Sequence, residues 1–91
     1  MRQYMVIESF FPDCKERIYE RFQQKGRMLP EGLLYVNSWL EQDGDRCFQL
    51  METDNSKQLD EWIGNWSDLV EFEVYPVISS KDAAERVSPR L

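Results

Sequence analysis

The stretch that decides the fold is LLYVNSWLEQDGDRCFQLMET, residues 33–53. Two runs rich in aromatic and β-branched residues flank Asp43 and Gly44, and such runs are typical of β-strands. An Asp-Gly pair favours a type I′ turn, because both central residues of that turn need a positive φ. The stretch therefore predicts a β-hairpin in which Gln42 pairs with Asp45.

That pairing fixes which side chains share each face of the hairpin, because successive residues of a strand point to opposite faces. The predicted pairs on one face are Glu41 with Arg46, Trp39 with Phe48, Asn37 with Leu50 and Tyr35 with Glu52. Those on the other face are Leu40 with Cys47, Ser38 with Gln49 and Val36 with Met51. Each face mixes apolar and polar residues, which indicates a sheet that is covered on both sides.

Before the hairpin, YMVIESFF (residues 4–11) is apolar at nearly every position and predicts a strand buried on both faces. A helix is predicted to follow, in which Asp13 caps the first turn and Gly26 marks the end. Its predicted buried stripe is Cys14, Ile18 and Phe22.

After the hairpin, Asn55 or Ser56 caps a second predicted helix. Its apolar stripe, spaced i, i+3, i+4 and i+7, is Leu59, Trp62, Ile63 and Trp66. LVEFEVYPV (residues 69–77) predicts an edge strand, because Pro76 cannot donate to a strand ladder. SSKDAAERV (residues 79–87) then predicts a short helix capped by Ser79 or Ser80.

The order β-α-β-β-α-β predicts an α+β, ferredoxin-like fold, a four-stranded antiparallel sheet with helices on one face. We divide the chain into a domain at residues 1–78 and a short C-terminal helix with its tail at residues 79–91. A second copy of the sheet is the simplest cover for the other face, which predicts a homodimer. The sequence leaves open whether the C-terminal helix packs on its own subunit or on the partner.

The composition excludes several classes of function. The 91 residues carry a formal net charge of -6, and an acidic surface repels nucleic acid and anionic membranes. The chain has no histidine, the commonest general base and transition-metal ligand, so we expect neither a metal nor a cofactor. Cys14 and Cys47 lack CxxC spacing, which favours reduced thiols in a cytoplasmic protein. The apolar run at the start is too short for a signal peptide or a membrane span.

Three segments together resemble a known family: YMVIESF (residues 4–10), LPEGLLYVNSWLEQDGDRCFQLMETDN (residues 29–55) and LDEWIGNWSDLVEFEVYPV (residues 59–77). They resemble domain-of-unknown-function family 3303 over nearly the whole chain. The resemblance implies a dimeric α/β barrel, related in fold to the antibiotic-biosynthesis monooxygenases. That family has no established activity, so the resemblance implies no particular chemistry.

The monooxygenase group suggests one reading of the tryptophans. Its members bind aromatic substrates between sheet and helices without metal or flavin, and Trp62, Asn65 and Trp66 make a partial match to their reactive residues. The helical spacing favours packing instead. Trp39, Trp62 and Trp66 are therefore predicted to be core residues rather than site residues.

A pocket inside the barrel would be lined by Ser38, Cys47, Gln49, Glu73 and Tyr75, if their faces point towards the partner. A carboxylate such as Glu73 between two sheets would have a raised pKa and could serve as a base. The sequence favours the simpler reading, in which Glu71 and Glu73 are solvated charges on an edge strand. Glu8 and Glu52 present the same choice, and Cys47 is expected to be inert because no histidine can activate it.

Two hypotheses for the function follow. The first is a homodimeric protein that binds a small molecule or another protein without catalysis, and the absence of histidine favours it. The alternative is a cofactor-free, monooxygenase- or isomerase-like enzyme that acts on a small, largely apolar substrate in the barrel pocket. The sequence identifies neither a ligand nor a reaction.

Overall fold

The computed structural model describes residues 1–87 of the chain, which form seven elements in the order βαββαβα. Their bounds are β1 Arg2–Phe10, α1 Lys15–Lys25, β2 Leu34–Leu40, β3 Arg46–Thr53, α2 Lys57–Gly64, β4 Val70–Val77 and α3 Ser80–Val87. The predicted element order is confirmed. The predicted tail, residues 88–91, lies outside the described residues, and the domain division at residue 78 stays a prediction.

The four strands form one antiparallel sheet in the order β2-β3-β1-β4. With α1 and α2 as the connections between strands, this order is the ferredoxin-like arrangement, and the predicted α+β fold class is confirmed. β4 pairs with β1 and forms one edge of the sheet, where Pro76 lies opposite Tyr4. An edge position is the one that the missing N–H of proline tolerates.

α1 and α2 pack on one side of the sheet, which we call the helix face. Ile18 of α1 and Trp62 of α2 join Val6 and Met51 of the two central strands in a single core. Val6 and Met51 have no exposed surface, and burying such a side chain stabilises the fold by roughly 1.5–3 kcal/mol. The core therefore lies between the helix face and the two helices.

The other side of the sheet, which we call the open face, is covered by neither α1 nor α2 and leaves large side chains exposed. Its residues include Met5, Ile7, Trp39, Phe48, Leu50, Glu73 and Tyr75. Trp39 is 51% exposed there, which corrects the prediction that it is a core residue. Strand alternation places its ring opposite Phe48, away from the helices. Trp62 and Trp66 are buried, at 1% and 6% exposure.

The predicted hairpin forms, but its turn is longer than a type I′ turn. The Glu41 N–H donates to the Arg46 carbonyl at 2.8 Å and closes a loop at residues 42–45. Neither Asp43 nor Gly44 has a positive φ, so the type I′ prediction is wrong. The side chains of Glu41 and Arg46 form a salt bridge at 2.7 Å, which holds the strand ends together and leaves four residues to make the turn.

The register of the hairpin agrees with the prediction only next to the turn. The predicted pairs are confirmed over residues 37–40, but a bulge interrupts the ladder between Tyr35 and Asn37. Val36 is the extra residue, so Tyr35 lies opposite Met51 instead of Glu52. The ring of Tyr35 therefore points to the helix face, and the predicted pairing of Val36 with Met51 is wrong.

The predicted helix ends are correct with one exception. Gly26 ends α1 with a φ of 65°. The side chains of Asn55 and Ser79 each accept a main-chain hydrogen bond of 3.0 Å at the starts of α2 and α3. Asp13 does not cap α1, because the chain turns there with a φ of 63° and Cys14 takes the N-cap position.

Candidate functional site

A cavity of about 240 Å³ lies between the helix face and the two helices that cover it. Its inner end is lined by the buried side chains Trp62, Trp66 and Val70, and its outer end by Tyr19 and Leu40, which are exposed. A few polar side chains enter this largely apolar space: Glu8, Arg27, Ser38, Cys47 and Gln49. An apolar cavity with a few convergent polar groups is the usual form of a small-molecule site.

Glu8 brings a carboxyl group into the cavity from the central strand β1. It lies on the same face as Tyr4 and Val6, both of which are buried in the core. Burial raises the pKa of Glu8 to about 7, against weaker opposing effects from the Cys47 thiol and the Arg27 charge. Near neutral pH this carboxyl group can therefore give up a proton or accept one.

Cys47 lies directly opposite Glu8 in the β1–β3 ladder and lines the same cavity. Burial, reinforced by the negative charge of Glu8 and a hydrogen bond with it, raises the pKa of the Cys47 thiol to about 12. A thiol that stays protonated is a poor nucleophile. Its role in the cavity is that of a weak hydrogen-bond donor beside the carboxylate.

Arg27 places a cation at the cavity from the connection between α1 and β2. Its guanidinium carbon lies 3.7 Å from the centroid of the Tyr35 ring and 5.1 Å from that of Phe22. Cation–π contacts with two rings hold the charge in place. The Tyr35 hydroxyl forms a hydrogen bond of 2.7 Å with the Ser38 hydroxyl, so this ring is itself positioned.

The two cavity tryptophans are fixed through one acceptor. The indole N–H groups of Trp62 and Trp66 both donate to the main-chain carbonyl of Arg27, each at 3.0 Å. Trp62 also packs edge-on against Phe72, with ring centroids 5.6 Å apart. These bonds attach the Arg27 segment to α2 and to the turn that follows it, and so fix the inner wall of the cavity.

The structure separates the five residues that the sequence places in one pocket. Ser38, Cys47 and Gln49 line the cavity on the helix face. Glu73 and Tyr75 lie on the open face, where the Tyr75 hydroxyl donates to the Glu73 carboxylate at 2.6 Å. The cavity lies between sheet and helices, not between two sheets, so only the first three residues can contact one ligand in it.

From the sequence, Glu8 was considered but a solvated charge was favoured there, and Arg27 was not singled out. For Glu8 a signal exists, because it occupies the same strand phase as Tyr4 and Val6 in a run that is otherwise apolar. An acidic residue at a core-facing position is either paired or functional. For Arg27 no signal exists, since it lies outside the strands and helices, where the sequence has no periodicity.

The open face forms a second surface of interest. Trp39, Tyr75 and Leu34 are 51%, 48% and 47% exposed. The guanidinium of Arg46 lies 5.4 Å from the Phe48 ring centroid, and the charge of Glu73 acts on it. The open face therefore combines large apolar side chains with charges of both signs.

A larger concavity of about 910 Å³ lies between the start of β1 and α3. Exposed side chains such as Arg2, Asp82 and Arg86 line it, so it does not enclose a ligand. Within residues 1–87, no group of three or more Cys, Asp or Glu side chains is placed to hold a metal ion. No helix in that part of the chain is long and apolar enough to cross a membrane.

Comparison with protein families gives the affiliation of the chain. The sequence model of the family described as "Domain of unknown function (DUF3303)" matches residues 2–91. This chain belongs to that family. The matched part of this DUF3303 protein contains all seven elements and every residue of the cavity.

A solved structure is similar to the DUF3303 chain in fold. The crystal structure of protein Atu4242 from Agrobacterium tumefaciens matches it with a TM-score of 0.58 and 13% sequence identity, covering 98% of each chain. At this identity the likeness concerns the fold alone. No match was found among curated proteins.

Proposed function

We propose that this DUF3303 protein binds a small, largely apolar molecule in the cavity between sheet and helices. The observation that carries this proposal is the combination of apolar walls with the convergent polar side chains of Glu8, Arg27 and Ser38. The apolar walls supply the free energy of binding, and the polar groups orient the ligand.

The size of the cavity limits the ligand. A cavity of about 150 Å³ holds one benzene molecule. The cavity of about 240 Å³ therefore suits a substituted ring or two small fused rings. The flat indole rings of Trp62 and Trp66 favour a planar molecule, because aromatic rings stack well on planar partners.

The proposal includes a homodimer formed through the open face. Trp39, Tyr75 and Leu34 are exposed on this face. Large exposed apolar patches are uncommon on monomeric proteins and usually mark an interaction surface. Arg46 and Glu73 carry opposite charges on the same face, so a two-fold axis can bring the arginine of each copy towards the glutamate of the other. The net charge of -6 and the free thiols support a place in the cytoplasm and argue against nucleic acid as a partner.

Tryptophan fluorescence tests the ligand proposal directly. In a Trp39→Phe background the emission comes from Trp62 and Trp66 at the cavity. Planar one- and two-ring ketones and phenols should quench it in a saturable manner. Ser38→Phe fills the cavity and should abolish saturation, whereas Gln23→Phe adds the same ring on an exposed position of α1 and should not. Quenching that never saturates, or that Ser38→Phe leaves unchanged, would contradict the proposal.

Sedimentation equilibrium tests the dimer. The wild-type protein should sediment as a dimer at micromolar concentration. Trp39→Glu, on the open face, should yield a monomer with an unchanged circular dichroism spectrum. Gln24→Glu adds the same charge on an exposed position of α1 and should leave the dimer intact. A monomeric wild-type protein would refute the dimer and leave the ligand proposal standing.

A further inference from the structure

We propose that the cavity is also a site of proton transfer, in which the Glu8 carboxylate removes a proton from the carbon next to the carbonyl of a planar, apolar ketone and then returns one. This inference rests on the proposed function, since it requires a ligand in the cavity. The substrate is an enolisable ketone, and the reaction is keto–enol exchange.

The first support for the proposal is the position of Glu8. The carboxyl group projects from the last part of β1 into a largely apolar cavity of about 240 Å³, which Trp62 and Trp66 also line. A purely structural carboxylate at a core-facing position is expected to pair with a cation or several donors. Within residues 1–87 Glu8 forms no salt bridge, and the side chain directly opposite it is the thiol of Cys47, a weak donor, which leaves the carboxylate available to a ligand.

The groups around Glu8 come from each element that faces it. β3 contributes the Cys47 thiol and the Gln49 amide, and the connection after α1 contributes Arg27. α1 contributes Tyr19, and β4 contributes the ring of Phe72, which lies opposite Glu8. α2 contributes the uncharged indole ring of Trp62, and the turn after α2 contributes that of Trp66. Among these groups Arg27 is the one cation, and Glu8 is the one carboxylate.

The reaction balances without any further reagent. A C–H bond next to the ketone breaks as an O–H bond forms on Glu8, and the electron pair moves onto the carbonyl oxygen to give an enolate. Arg27 and the Ser38 hydroxyl line the same cavity and can stabilise that oxygen. Return of a proton from Glu8 to the same carbon regenerates the ketone, and return to a conjugated carbon shifts a double bond. No oxidant, reductant or metal takes part.

The strength of Glu8 as a base suits this role. A general base works best when its pKa lies near the working pH, because it is then both ionised and basic. Burial raises the pKa of Glu8 to about 7, well above the usual value of 4.5. An ordinary surface carboxylate is ionised at neutral pH but is a much weaker base.

Exchange of hydrogen for deuterium in 2-indanone is the test. This two-ring ketone is incubated with the protein in deuterium oxide, where a solvent deuteron replaces the proton on the Glu8 carboxyl group before transfer back to carbon. Loss of the hydrogen signal next to the carbonyl is followed by nuclear magnetic resonance. The rate above the buffer background should rise with pH and level off above about pH 7, as Glu8 ionises. Binding is measured in the same samples by tryptophan quenching.

Variants assign the exchange to Glu8. Glu8→Gln should lower the exchange rate by a factor of roughly 100 or more while 2-indanone still binds, since a positioned base contributes about 10²- to 10⁴-fold. Glu8→Asp keeps the carboxyl group on a side chain that is shorter by one methylene. It should still bind 2-indanone and should exchange it at a rate between those of the wild-type protein and Glu8→Gln. Glu61→Gln removes a carboxylate from an exposed position of α2 and should change neither quantity.

The outcomes separate the two proposals. Binding without exchange above background, or exchange that Glu8→Gln leaves unchanged, would overturn the proton-transfer inference and leave the binding function intact. Failure of every planar ketone and phenol to bind would overturn both. If Glu8→Gln neither folds nor binds, Glu8→Asp provides the test. Its exchange rate at saturating 2-indanone must then be lower than that of the wild-type protein, and an unchanged rate would overturn the inference.

Discussion

Glu8 and Cys47 lie directly opposite each other in the β1–β3 ladder, and both side chains face the cavity. Burial hinders the ionisation of both groups, but the two residues act on each other in opposite directions. Burial, and then the charge of Glu8, raises the pKa of the Cys47 thiol to about 12, whereas the thiol lowers the pKa of Glu8, which burial still raises to about 7. The thiol therefore stays protonated near neutral pH, and Glu8 is the member of this cross-strand pair that changes its charge there.

The stability of the protein should fall as the pH rises towards 8, because of Glu8. The folded-state pKa of about 7 exceeds the usual value of 4.5, so the folded protein binds this proton more tightly than the unfolded chain does. The stabilisation is complete below the lower value and is lost as the pH rises through the higher one. Full ionisation costs on the order of 3 kcal/mol. We expect Glu8→Gln to raise the Tm at about pH 8 and to change it little at about pH 4.

The matched control for this prediction is Glu61→Gln, which removes the same charge from an exposed position of α2. Thermal unfolding of the three proteins across this pH range distinguishes burial from net charge. If both variants gain the same Tm at high pH, the effect is due to net charge and Glu8 is not specially destabilising.

Cys47 should react slowly with alkylating reagents for the same reason. Its pKa is raised from 9.0 to about 12, so the reactive thiolate is less populated by a factor on the order of 10³. We expect iodoacetamide to modify Cys47 far more slowly in the folded protein than in urea. Glu8→Gln should accelerate the reaction, because the charge that opposes the thiolate is gone. Peptide mass spectrometry measures both cysteines, and an unchanged rate in Glu8→Gln would show that the two residues do not interact.

The shared acceptor of the two indole groups should make Trp62 and Trp66 interdependent. Trp62→Phe or Trp66→Phe alone leaves the Arg27 carbonyl one donor, whereas the double variant removes both. We expect the double variant to lose about 1 kcal/mol more stability than the sum of the single losses, the cost of an unpaired polar group. Urea unfolding followed by circular dichroism measures it. Trp62→Phe combined with Trp39→Phe on the open face should be additive, and additivity in both pairs would contradict the prediction.

Gly32 should not tolerate a side chain. Its φ is 90°, and a Cβ atom there would lie 2.5 Å from Nε2 of Gln58. That Gln58 side chain donates to the Glu31 carbonyl and accepts from the Thr53 hydroxyl, so it cannot move without losing both bonds. We expect Gly32→Ala to lower the stability by about 1–3 kcal/mol. Gly64→Ala, where nothing lies within 4 Å, should be neutral or stabilising, and equal Tm values for both variants would refute the prediction.

Local patterns were sufficient to predict the sheet and its helices. The spacing of apolar residues reflects which side of each strand or helix meets the core. This spacing can be recognised within a segment of a few residues. The stripe of α2 and the capping side chains of Asn55 and Ser79 were found in this way. The prediction of a type I′ turn was wrong because it used only the turn preference of Asp-Gly. The Glu41–Arg46 salt bridge closes a longer loop and does not enter that preference.

The candidate site could be predicted only in part, because it depends on which face of the sheet the helices cover. Ser38 and Gln49 were singled out from the sequence, but their separation from Glu73 follows from the sheet register across three strands. The position of the Arg27 charge at the cavity depends on its contacts with the rings of Phe22 and Tyr35, which lie in different elements. Contacts of this kind arise from the tertiary packing and leave no local pattern.

The bulge at Val36 decides which side of the sheet receives the ring of Tyr35. In a regular ladder of the same length Tyr35 would lie opposite Glu52 on the open face, and Arg27 would lose the ring whose centroid lies 3.7 Å from its guanidinium carbon. Deletion of Val36 itself would leave Tyr35 opposite Met51 and Asn37 opposite Leu50, so the ring would stay in the cavity. Strand β2 can therefore become one residue shorter at this position without a change in the lining of the cavity.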